Sequence, residues 1–225
     1  MPPDTTNAKL RWADGCLPVS VQFDDPYYSR ADGMAESRHV FLDGNDLAKR
    51  FANAADFHIA ELGFGTGLNM LTAIHLWQNS GATGTLHLTS FEKYPMSADH
   101  MLRALNRWPE LSELAEILLG QWPASKIIFP DATLNVLIGD VPETLPAWLG
   151  TADAWFLDGF APSRNPDMWS EPVLNAVAAH TTTGGSFATY TAAGFVRRGL
   201  TAAGFTVSKR AGFGSKREML TGQLI

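Results

Sequence analysis

Phe57-His58-Ile59-Ala60-Glu61-Leu62-Gly63-Phe64-Gly65-Thr66-Gly67 has the pattern of a buried strand that ends in an acid and then turns through three alternate glycines. Gly63 and Gly65 permit a positive φ in the turn. Gly67 lets the backbone approach a ligand at the start of the helix that follows. The segment therefore predicts a nucleotide-type cofactor site at the end of Glu61's strand.

The spacing of the glycines restricts the cofactor. A dinucleotide fingerprint has glycines at its first, third and sixth positions, but the sixth position is Leu68 when counted from Gly63 and Met70 when counted from Gly65. No Gly-Lys-Ser/Thr follows, so the P-loop pattern for a magnesium-bound triphosphate is also missing. The remaining pattern, Glu-x-Gly-x-Gly-x-Gly, is the loop of S-adenosylmethionine (SAM) methyltransferases. The sequence predicts SAM as the cofactor, with Glu61, Gly63, Gly65 and Gly67 among the residues that bind it.

Length and composition favour one α/β domain. The chain has 225 residues, of which 45% are apolar. We expect residues 51–225 to form the cofactor-binding domain and residues 1–50 to form an N-terminal extension that covers the site as a lid. Apolar stretches too short for a membrane span and the lack of a basic, apolar leader predict a cytoplasmic protein without a membrane partner. The single cysteine and six scattered histidines give no metal-binding pattern, so no metal is expected.

The charge distribution allows a local contact with nucleic acid. A net charge of −6 argues against binding RNA over the whole surface, because phosphates require Lys and Arg. From Gly194 onward, however, six basic residues stand against one acid. The basic residues of this segment are Arg197, Arg198, Lys209, Arg210, Lys216 and Arg217. They predict either an RNA-facing patch or ordinary solvated surface charges.

Alternating strand and helix patterns indicate the fold class. We expect a Rossmann-like SAM-dependent methyltransferase fold, with a mainly parallel seven-stranded sheet and a reversed edge strand. The expected strands include Val19–Phe23, Asp56–Leu62, Leu86–Phe91, Ile127–Phe129 with Leu134–Ile138 as a hairpin, Ala152–Leu157, Gly185–Tyr190, and Phe205–Ser208 with Glu218–Leu224 as an antiparallel pair.

Acids at the ends of the expected strands are candidate cofactor ligands, because ligands of such sheets lie across the carboxyl ends of the strands. Glu92 follows the second strand of the cofactor domain, at about the distance from the glycine loop at which an acid binds ribose hydroxyls. Asp140 ends a later strand, where it is expected both to accept a hydrogen bond from the adenine amino group and to cap the next helix. A structural carboxylate at the strand end is the alternative for Glu92, and a helix N-cap without a ligand is the alternative for Asp140.

Asp158 is the candidate catalytic residue. It ends the apolar strand Ala152–Leu157 and opens Asp158-Gly159-Phe160-Ala161-Pro162, at the place where amino methyltransferases have an Asp/Asn-Pro-Pro-aromatic loop. A carboxylate there can orient an amine, stabilise the emerging ammonium and help remove its proton. The face of Phe160 favours the same cation. A structural turn residue is the alternative interpretation of Asp158.

Several further residues are candidates for binding the acceptor. Asn165 belongs to the same loop as Phe160 and Pro162, whereas Trp169 is expected in the core. Tyr28, like its neighbour Tyr27, either stacks on a base or anchors the N-terminal extension.

Motifs along nearly the whole chain resemble those of one family, the methyltransferase part of the MnmC bifunctional tRNA-modification enzymes. The motifs that carry the resemblance are Phe23-Asp24-Asp25-Pro26-Tyr27-Tyr28-Ser29, Gly33-Met34-Ala35-Glu36, Val40-Phe41-Leu42, Gly63 to Asn69, Ser90-Phe91-Glu92-Lys93, Trp155 to Pro162, Asn165 to Trp169, Ala193 to Arg198, and Gly212-Phe213-Gly214 through Lys216-Arg217-Glu218-Met219.

The resemblance implies SAM-dependent N-methylation of 5-aminomethyl-(2-thio)uridine at wobble position 34 of tRNA, with Asp158 near the reacting amine. It also implies that the anticodon region of tRNA is the partner, and it favours the RNA-facing interpretation of Arg197 and Arg198. The bifunctional relatives continue into a flavin-dependent half that makes the aminomethyl group. This sequence contains no Gly-x-Gly-x-x-Gly, so no flavin is expected here and a separate domain or protein would supply the substrate.

Two other classes of function stay open at this point. An aminopropyltransferase of the spermidine-synthase type shares the glycine loop, the ribose acid and the carboxylate after the fourth strand. It requires an acid-rich pocket, whereas the loop after Asp158 offers Phe160, Pro162 and Arg164. A nucleotide-binding module without catalysis is the second alternative, and the presence of Asp158 beside an intact cofactor loop argues against it.

Overall fold

A single large sheet organises the protein, for which we describe residues 7–52 and 54–225 of a computed structural model. The strands are β1 (Leu10–Ala13), β2 (Leu17–Ser20), β3 (Phe57–Leu62), β4 (Leu86–Glu92), β5 (Lys126–Ile128), β6 (Ala132–Ile138), β7 (Ala152–Leu157), β8 (Thr181–Thr189), β9 (Phe205–Ala211) and β10 (Glu218–Leu224). The large sheet has the order β5-β6-β4-β3-β7-β8-β10-β9, while β1 and β2 form a separate hairpin.

The sheet is parallel in the middle and antiparallel toward both edges. Strands β6, β4, β3, β7 and β8 run parallel to one another. Strand β5 is antiparallel to β6, and β10 is antiparallel to both β8 and β9. Because β3 lies next to β4 on one side and β7 on the other, the chain changes direction across the sheet at β3. Ligands of open α/β sheets bind beside the strand at such a position.

Helices cover both faces of the sheet. They are α1 (Gly33–Ser37), α2 (Leu47–Phe51), α3 (Leu68–Gln78), α4 (Ala98–Leu105), α5 (Ser112–Gln121), α6 (Val141–Ala147), α7 (Glu171–Ala179) and α8 (Gly194–Ala202), with a π-helical segment at Arg38–Leu42 and 3-10 turns at Pro109–Leu111 and Pro166–Trp169. Helices α3 to α5 pack with the N-terminal segments in one apolar core, and α6 to α8 form a second core on the opposite face. Burial of these two apolar faces is the main force that holds the layers together.

The N-terminal segments pack on the core through buried side chains. Leu17, Met34, Phe41 and Phe51 are each at most 3% exposed and belong to the same apolar core as α3. The boundary between an extension and a main domain remains a prediction, but residues of this segment also contribute to the walls of the main cavity.

The Rossmann-like fold class is confirmed, and three details of the prediction are wrong. The large sheet has eight strands rather than seven. The sheet has a reversed edge strand, but that strand is β5, whereas the reversed strand of the C-terminal pair, β10, lies between β8 and β9. The predicted strand Val19–Phe23 is β2 at Leu17–Ser20, since residues 21–23 form a turn. Within the described ranges, no helix is long and apolar enough to cross a membrane.

Candidate active site

A cavity of about 430 Å³ lies beyond the carboxyl ends of the parallel strands. Its walls include the glycine bend after β3, the ends of β4, β6, β7 and β8, the β9–β10 turn and parts of the N-terminal segment. The site is therefore built from segments that are far apart in the sequence but meet at one edge of the sheet.

The glycine bend requires glycine at three positions. Gly63, Gly65 and Gly67 have φ values of +89°, +55° and +81°, in the region that L-residues rarely adopt. Gly63 and Gly65 line the cavity, as predicted for a cofactor loop. Gly67 is not among the lining residues, and a Cβ there would lie 3.0 Å from atoms of Leu118 and Phe64. Gly67 thus serves the turn and the packing of α3.

Glu92 ties the end of β4 to the glycine bend. One carboxylate oxygen of Glu92 accepts a hydrogen bond of 2.9 Å from the Gly65 N–H, and the other accepts one of 2.7 Å from the Tyr94 N–H. Burial raises the pKa of Glu92, although the hydrogen bonds from backbone N–H groups oppose that shift. Each carboxylate oxygen has a second lone pair, so Glu92 keeps acceptor capacity on the cavity wall for a hydroxyl group.

Asp140 lines the cavity after β6 and occupies the N-cap position of α6. Its side chain makes no capping hydrogen bond and forms an ion pair with Lys93 instead, so the predicted side-chain cap is wrong. The Asp140 backbone carbonyl accepts hydrogen bonds from the Thr144 N–H and hydroxyl. With Lys93 neutralised by Asp140, this part of the cavity suits an uncharged ribose and adenine better than a diphosphate.

Glu61 is predicted from the sequence as a cofactor ligand, but it lies beneath the cavity wall and does not line the cavity. The residue is 0% exposed, and its two carboxylate oxygens accept hydrogen bonds from Asn69 Nδ2 (2.9 Å) and Ser90 Oγ (2.7 Å). Burial raises the pKa of Glu61 well above its ordinary value, and the nearby Asp158 adds to the shift. Strand β3 therefore directs this acid into the protein interior, where it contacts α3 and β4.

Asp158 is held rigidly at the end of β7 and lines the cavity. Its Oδ1 accepts a hydrogen bond of 2.8 Å from the Gly159 N–H, and its Oδ2 accepts one of 2.7 Å from Asn69 Nδ2. Burial raises the pKa of Asp158 to about 7, against the opposing effect of the hydrogen bond from Asn69. A carboxyl group with a pKa near neutrality is suited to accept a proton during a reaction.

Aromatic rings form the wall next to Asp158. The Phe160 ring stacks on Phe23 with centroids 4.6 Å apart and contacts the edge of Tyr27 at 5.0 Å. The Tyr190 hydroxyl donates a hydrogen bond of 2.7 Å to the Gly159 carbonyl, which fixes the turn after Asp158. Phe160, Tyr27 and Tyr190 all line the cavity. Phe160 therefore belongs to the acceptor end as predicted, but one of its faces is already covered by Phe23.

Two acids from outside the Asp158 loop, Glu36 and Asp25, line the same end of the cavity, and each already has a partner. Glu36 accepts hydrogen bonds of 2.9 Å from Lys216 Nζ and from the Ser29 N–H. Asp25 accepts a hydrogen bond of 2.9 Å from the Ala161 N–H. The loop after Asp158 alone does not reveal these acids, so the predicted contrast with an acid-rich polyamine pocket is weaker than the sequence indicates.

The structure brings only some of the predicted acceptor residues to the cavity. Asn165 is among the lining residues, whereas Pro162, Arg197 and Arg198 are not. Arg164 pairs with Asp24 outside the cavity. Arg197 and Arg198 are exposed on α8, which begins beyond the carboxyl end of β8, the edge of the sheet at which the cavity lies.

Tyr28 borders the cavity but is anchored. It is 6% exposed, its hydroxyl donates to the Cys16 carbonyl at 2.9 Å, and its ring contacts Trp108. These contacts support the alternative in which Tyr28 fixes the N-terminal segment.

The lining residues include Asn69, Tyr190 and Glu36, for which the sequence predicts no role, and Lys216, which the sequence predicts only as part of the basic segment. Tyr190 directly follows β8, so the rule that selected Glu92 and Asp158 also applies to it. Asn69 lies at the start of the helix after the glycine bend. Glu36 and Lys216 are 180 residues apart, and no local pattern links them. In the part of the chain described here, no group of three or more His, Cys, Asp or Glu side chains could hold a metal ion.

A mainly parallel sheet with a glycine bend after β3 and an acid at the end of β4 is the architecture of Rossmann-like SAM-dependent methyltransferases. The comparison with protein families gives the same class. A family model described as S-adenosyl-L-methionine-dependent methyltransferase matches residues 109–225, just over half of the chain. The chain belongs to this family.

Particular relatives carry more specific names. The chain is 49% identical, over 96% of its length, to the "tRNA 5-methylaminomethyl-2-thiouridine biosynthesis bifunctional protein MnmC" of Caulobacter vibrioides. It is 44% identical, over 98% of its length, to the protein of the same name from Hahella chejuensis. The chain spans 38% and 37% of the lengths of these relatives. The crystal structure of MnmC2 from Aquifex aeolicus matches 99% of this chain and 72% of that chain, with a TM-score of 0.80 at 26% identity. The predicted resemblance to MnmC proteins is confirmed.

Proposed function

We propose that this protein transfers the methyl group of SAM to the exocyclic amine of 5-aminomethyl-(2-thio)uridine at wobble position 34 of tRNA. The observation that carries the proposal is the position of Asp158, which is fixed at the end of β7 in the same cavity as the glycine bend and Glu92. The names of the Caulobacter vibrioides and Hahella chejuensis relatives, which refer to tRNA 5-methylaminomethyl-2-thiouridine biosynthesis, support this choice of acceptor.

The residues of the donor end fit SAM. Gly63 and Gly65 leave space over the bend, Glu92 has acceptor capacity for the ribose hydroxyls, and Asp140 stands where the adenine amino group would lie. Lys93 lies beside these acids and forms an ion pair with Asp140, so its charge is not free to bind a phosphate. When bound, SAM supplies an electrophilic methyl group: its sulfur–carbon bond breaks as the new nitrogen–carbon bond forms.

The acceptor end fits an amine. The reaction moves positive charge toward nitrogen, so no oxyanion has to be stabilised. Asp158 accepts a hydrogen bond from the amine, faces the developing ammonium and removes its proton. Phe160 and Tyr27 form an apolar wall that keeps water away from the nitrogen. Fixed orientation of the two reactants can contribute about 7 to 11 kcal/mol to lowering the barrier.

Arg197 and Arg198 are proposed to bind the phosphate groups of the anticodon arm. They are exposed near the start of α8, which follows the carboxyl end of β8. A flavin-dependent domain or separate protein would supply the aminomethyl group, in keeping with the word "bifunctional" in the names of the relatives. We place this activity in the cytoplasm, where the tRNA substrate would be found.

The first test measures methyl transfer directly. Purified protein is incubated with radiolabelled SAM and tRNA from cells that lack this modification, and the nucleosides are then separated. We expect label in the wobble nucleoside with the wild type and at least a hundredfold less with Asp158→Ala, because general base catalysis contributes about 10² to 10⁴.

Asp99→Ala is the matched control, since Asp99 is exposed on α4 and does not line the cavity. This variant should methylate tRNA like the wild type. Label in a polyamine only would favour the aminopropyltransferase alternative, and label in no acceptor would reject the proposed function.

A further inference from the structure

One asparagine joins two buried acids at the base of the cavity. Asn69 Nδ2 donates hydrogen bonds to Glu61 Oε1 at 2.9 Å and to Asp158 Oδ2 at 2.7 Å. Asn69 comes from the first turn of α3, Glu61 from β3 and Asp158 from the end of β7. The amide therefore fixes the distance between the catalytic carboxyl group and a second carboxyl group with no role in substrate binding.

The remaining oxygens of both acids also have donors. Ser90 Oγ donates to Glu61 Oε2 at 2.7 Å, and the Gly159 N–H donates to Asp158 Oδ1 at 2.8 Å. Since a carboxylate with both oxygens bonded cannot rotate without breaking a bond, the plane of Asp158 is fixed. Of the two donors to Asp158, only Asn69 is a side chain and can be removed by substitution.

The charged and titratable groups around Asp158 are mostly acidic. Glu61 faces it from β3, Glu36 from α1, and Tyr190 from the end of β8, while Asp25 lies on the same cavity wall. Lys216 from the β9–β10 turn is the opposing cation, and it is paired with Glu36 at 2.9 Å. Two carboxylates that share a site disfavour each other's ionisation. The Asn69 amide lies between Asp158 and Glu61 and donates a hydrogen bond to each of them.

We propose that Asn69 is a positioning residue that holds Asp158 toward the acceptor amine and keeps it ionised by separating it from Glu61. The proposal rests on the proposed function for its effect on catalysis, because it takes Asp158 as the group that meets the amine. The effect on ionisation is a property of the protein alone. The hydrogen bond from Asn69 opposes the effect of burial, which raises the pKa of Asp158.

The kinetic test compares wild type with Asn69→Ala in the tRNA methylation assay between pH 5.5 and 9. Loss of the amide donor removes a hydrogen bond to the charged form of Asp158. The acid limb of the pH–kcat profile should therefore shift to higher pH by about one pH unit. At pH 7 the rate should fall about fivefold from the lower ionised fraction alone, with little change in the Kd for SAM. An unmoved acid limb with a large rise in the SAM Kd would make Asn69 a cofactor contact and overturn the proposal.

The second test needs no tRNA. In protein with ¹³C-labelled aspartate and glutamate carboxyl groups, NMR titration gives the midpoint of Asp158, whose signal is identified by its absence in Asp158→Asn. We expect the midpoint to rise in Asn69→Ala and to return toward the wild-type value in Asn69→Ala/Glu61→Gln, which has no carboxyl group at position 61. An unchanged midpoint in Asn69→Ala, or no recovery in the double variant, would overturn the proposal.

Asn69→Ser covers the case in which Asn69→Ala does not fold. Its hydroxyl is one bond nearer the backbone than the amide nitrogen of Asn69 and so does not reach Asp158 Oδ2 in the same way, and the midpoint of Asp158 should lie above that of the wild type. A wild-type midpoint in this variant counts against the proposal. If wild-type protein methylates no tRNA, the proposed function fails, while the titration still decides the role of Asn69.

Discussion

At the scale of single residues, Asp158 lowers the stability of the folded protein when it is ionised, because burial disfavours its charged form. Its pKa is raised from 3.8 to about 7, so the folded state binds the proton more tightly than the unfolded chain does. The free energy of unfolding therefore decreases as the pH rises from about 4 through 7. Three pKa units correspond to roughly 4 kcal/mol, an upper bound for a group that keeps some contact with solvent.

Asp158→Asn should thus stabilise the protein at high pH. We expect a free energy of unfolding higher by about 1 to 3 kcal/mol at pH 8, and a difference near zero at pH 4. Urea unfolding at several pH values measures this. Asp99→Asn, a change at an exposed position of α4, should show no such trend. A pH-independent difference for Asp158→Asn would contradict the assigned ionisation.

The acids after β4 and β7 could be found from the sequence because their positions follow from local patterns. A buried apolar strand followed by an acid puts that acid at the carboxyl edge of a parallel sheet, which holds for Glu92 and Asp158. Glu61 could not be placed in this way, since the direction of its side chain depends on what α3 and β4 offer as partners. The pair of Glu36 and Lys216 depends on tertiary packing between distant segments and leaves no local pattern.

At the scale of elements, the start of α3 depends on a glycine. Gly67 has a φ of +81°, and a Cβ there would lie 3.0 Å from Leu118 and Phe64. We expect Gly67→Ala to destabilise the protein by about 1 to 3 kcal/mol through backbone strain and crowding. It should also weaken SAM binding several-fold, because the bend before α3 would shift. Thermal unfolding and calorimetric titration with SAM measure the two effects.

Gly120→Ala is the matched control within a helix. Gly120 is exposed in α5, its φ is not positive, and a Cβ there would meet no atom within 4 Å. This change should leave SAM affinity unaltered and raise stability by up to about 1 kcal/mol. Equal effects of the two substitutions would show that the bend tolerates a side chain at Gly67.

The order of most elements could also be predicted, whereas some pairings could not. Apolar runs and glycine breaks place β3, β4, β7 and the pair of β9 and β10 within a few residues of their observed positions. The strand β1 was missed because Leu10–Ala13 is short, partly exposed and paired only with β2. Sequence periodicity does not indicate which strands become neighbours in a sheet, so the position of β10 between β8 and β9 could not be predicted.

At the scale of the whole molecule, the protein is acidic but its C-terminal segment is basic. Some basic side chains of this segment already have partners within the protein, and others are exposed. Lys209 pairs with Glu218 at 2.7 Å, and Arg210 donates to the Asp43 carbonyl at 2.9 Å. Arg197 and Arg198 are exposed on α8. We therefore expect the predicted contact with tRNA phosphates to depend on the α8 pair more than on Lys209 and Arg210.

Replacing both Arg197 and Arg198 by Ala should raise the KM for tRNA and flatten its dependence on salt concentration. Each lost phosphate contact removes about 0.7 to 0.9 from the slope of log affinity against log salt. The Kd for SAM should not change. Lys49→Ala/Lys126→Ala removes two exposed cations from α2 and β5 and is the control. Equal KM values for both double variants would make the α8 arginines ordinary surface charges.

The central position of β10 has a consequence for synthesis of the chain on the ribosome. Since β9 reaches the sheet only through β10, a nascent chain that has emerged as far as residue 211 leaves the edge of β8 without a neighbour. Such an open edge can pair with other unfinished chains. The β9–β10 turn, which brings Lys216 to the cavity, also cannot adopt its structure before β10 has joined the sheet. The donor half of the cavity can therefore form during translation, and the acceptor half is completed only when the last strand arrives.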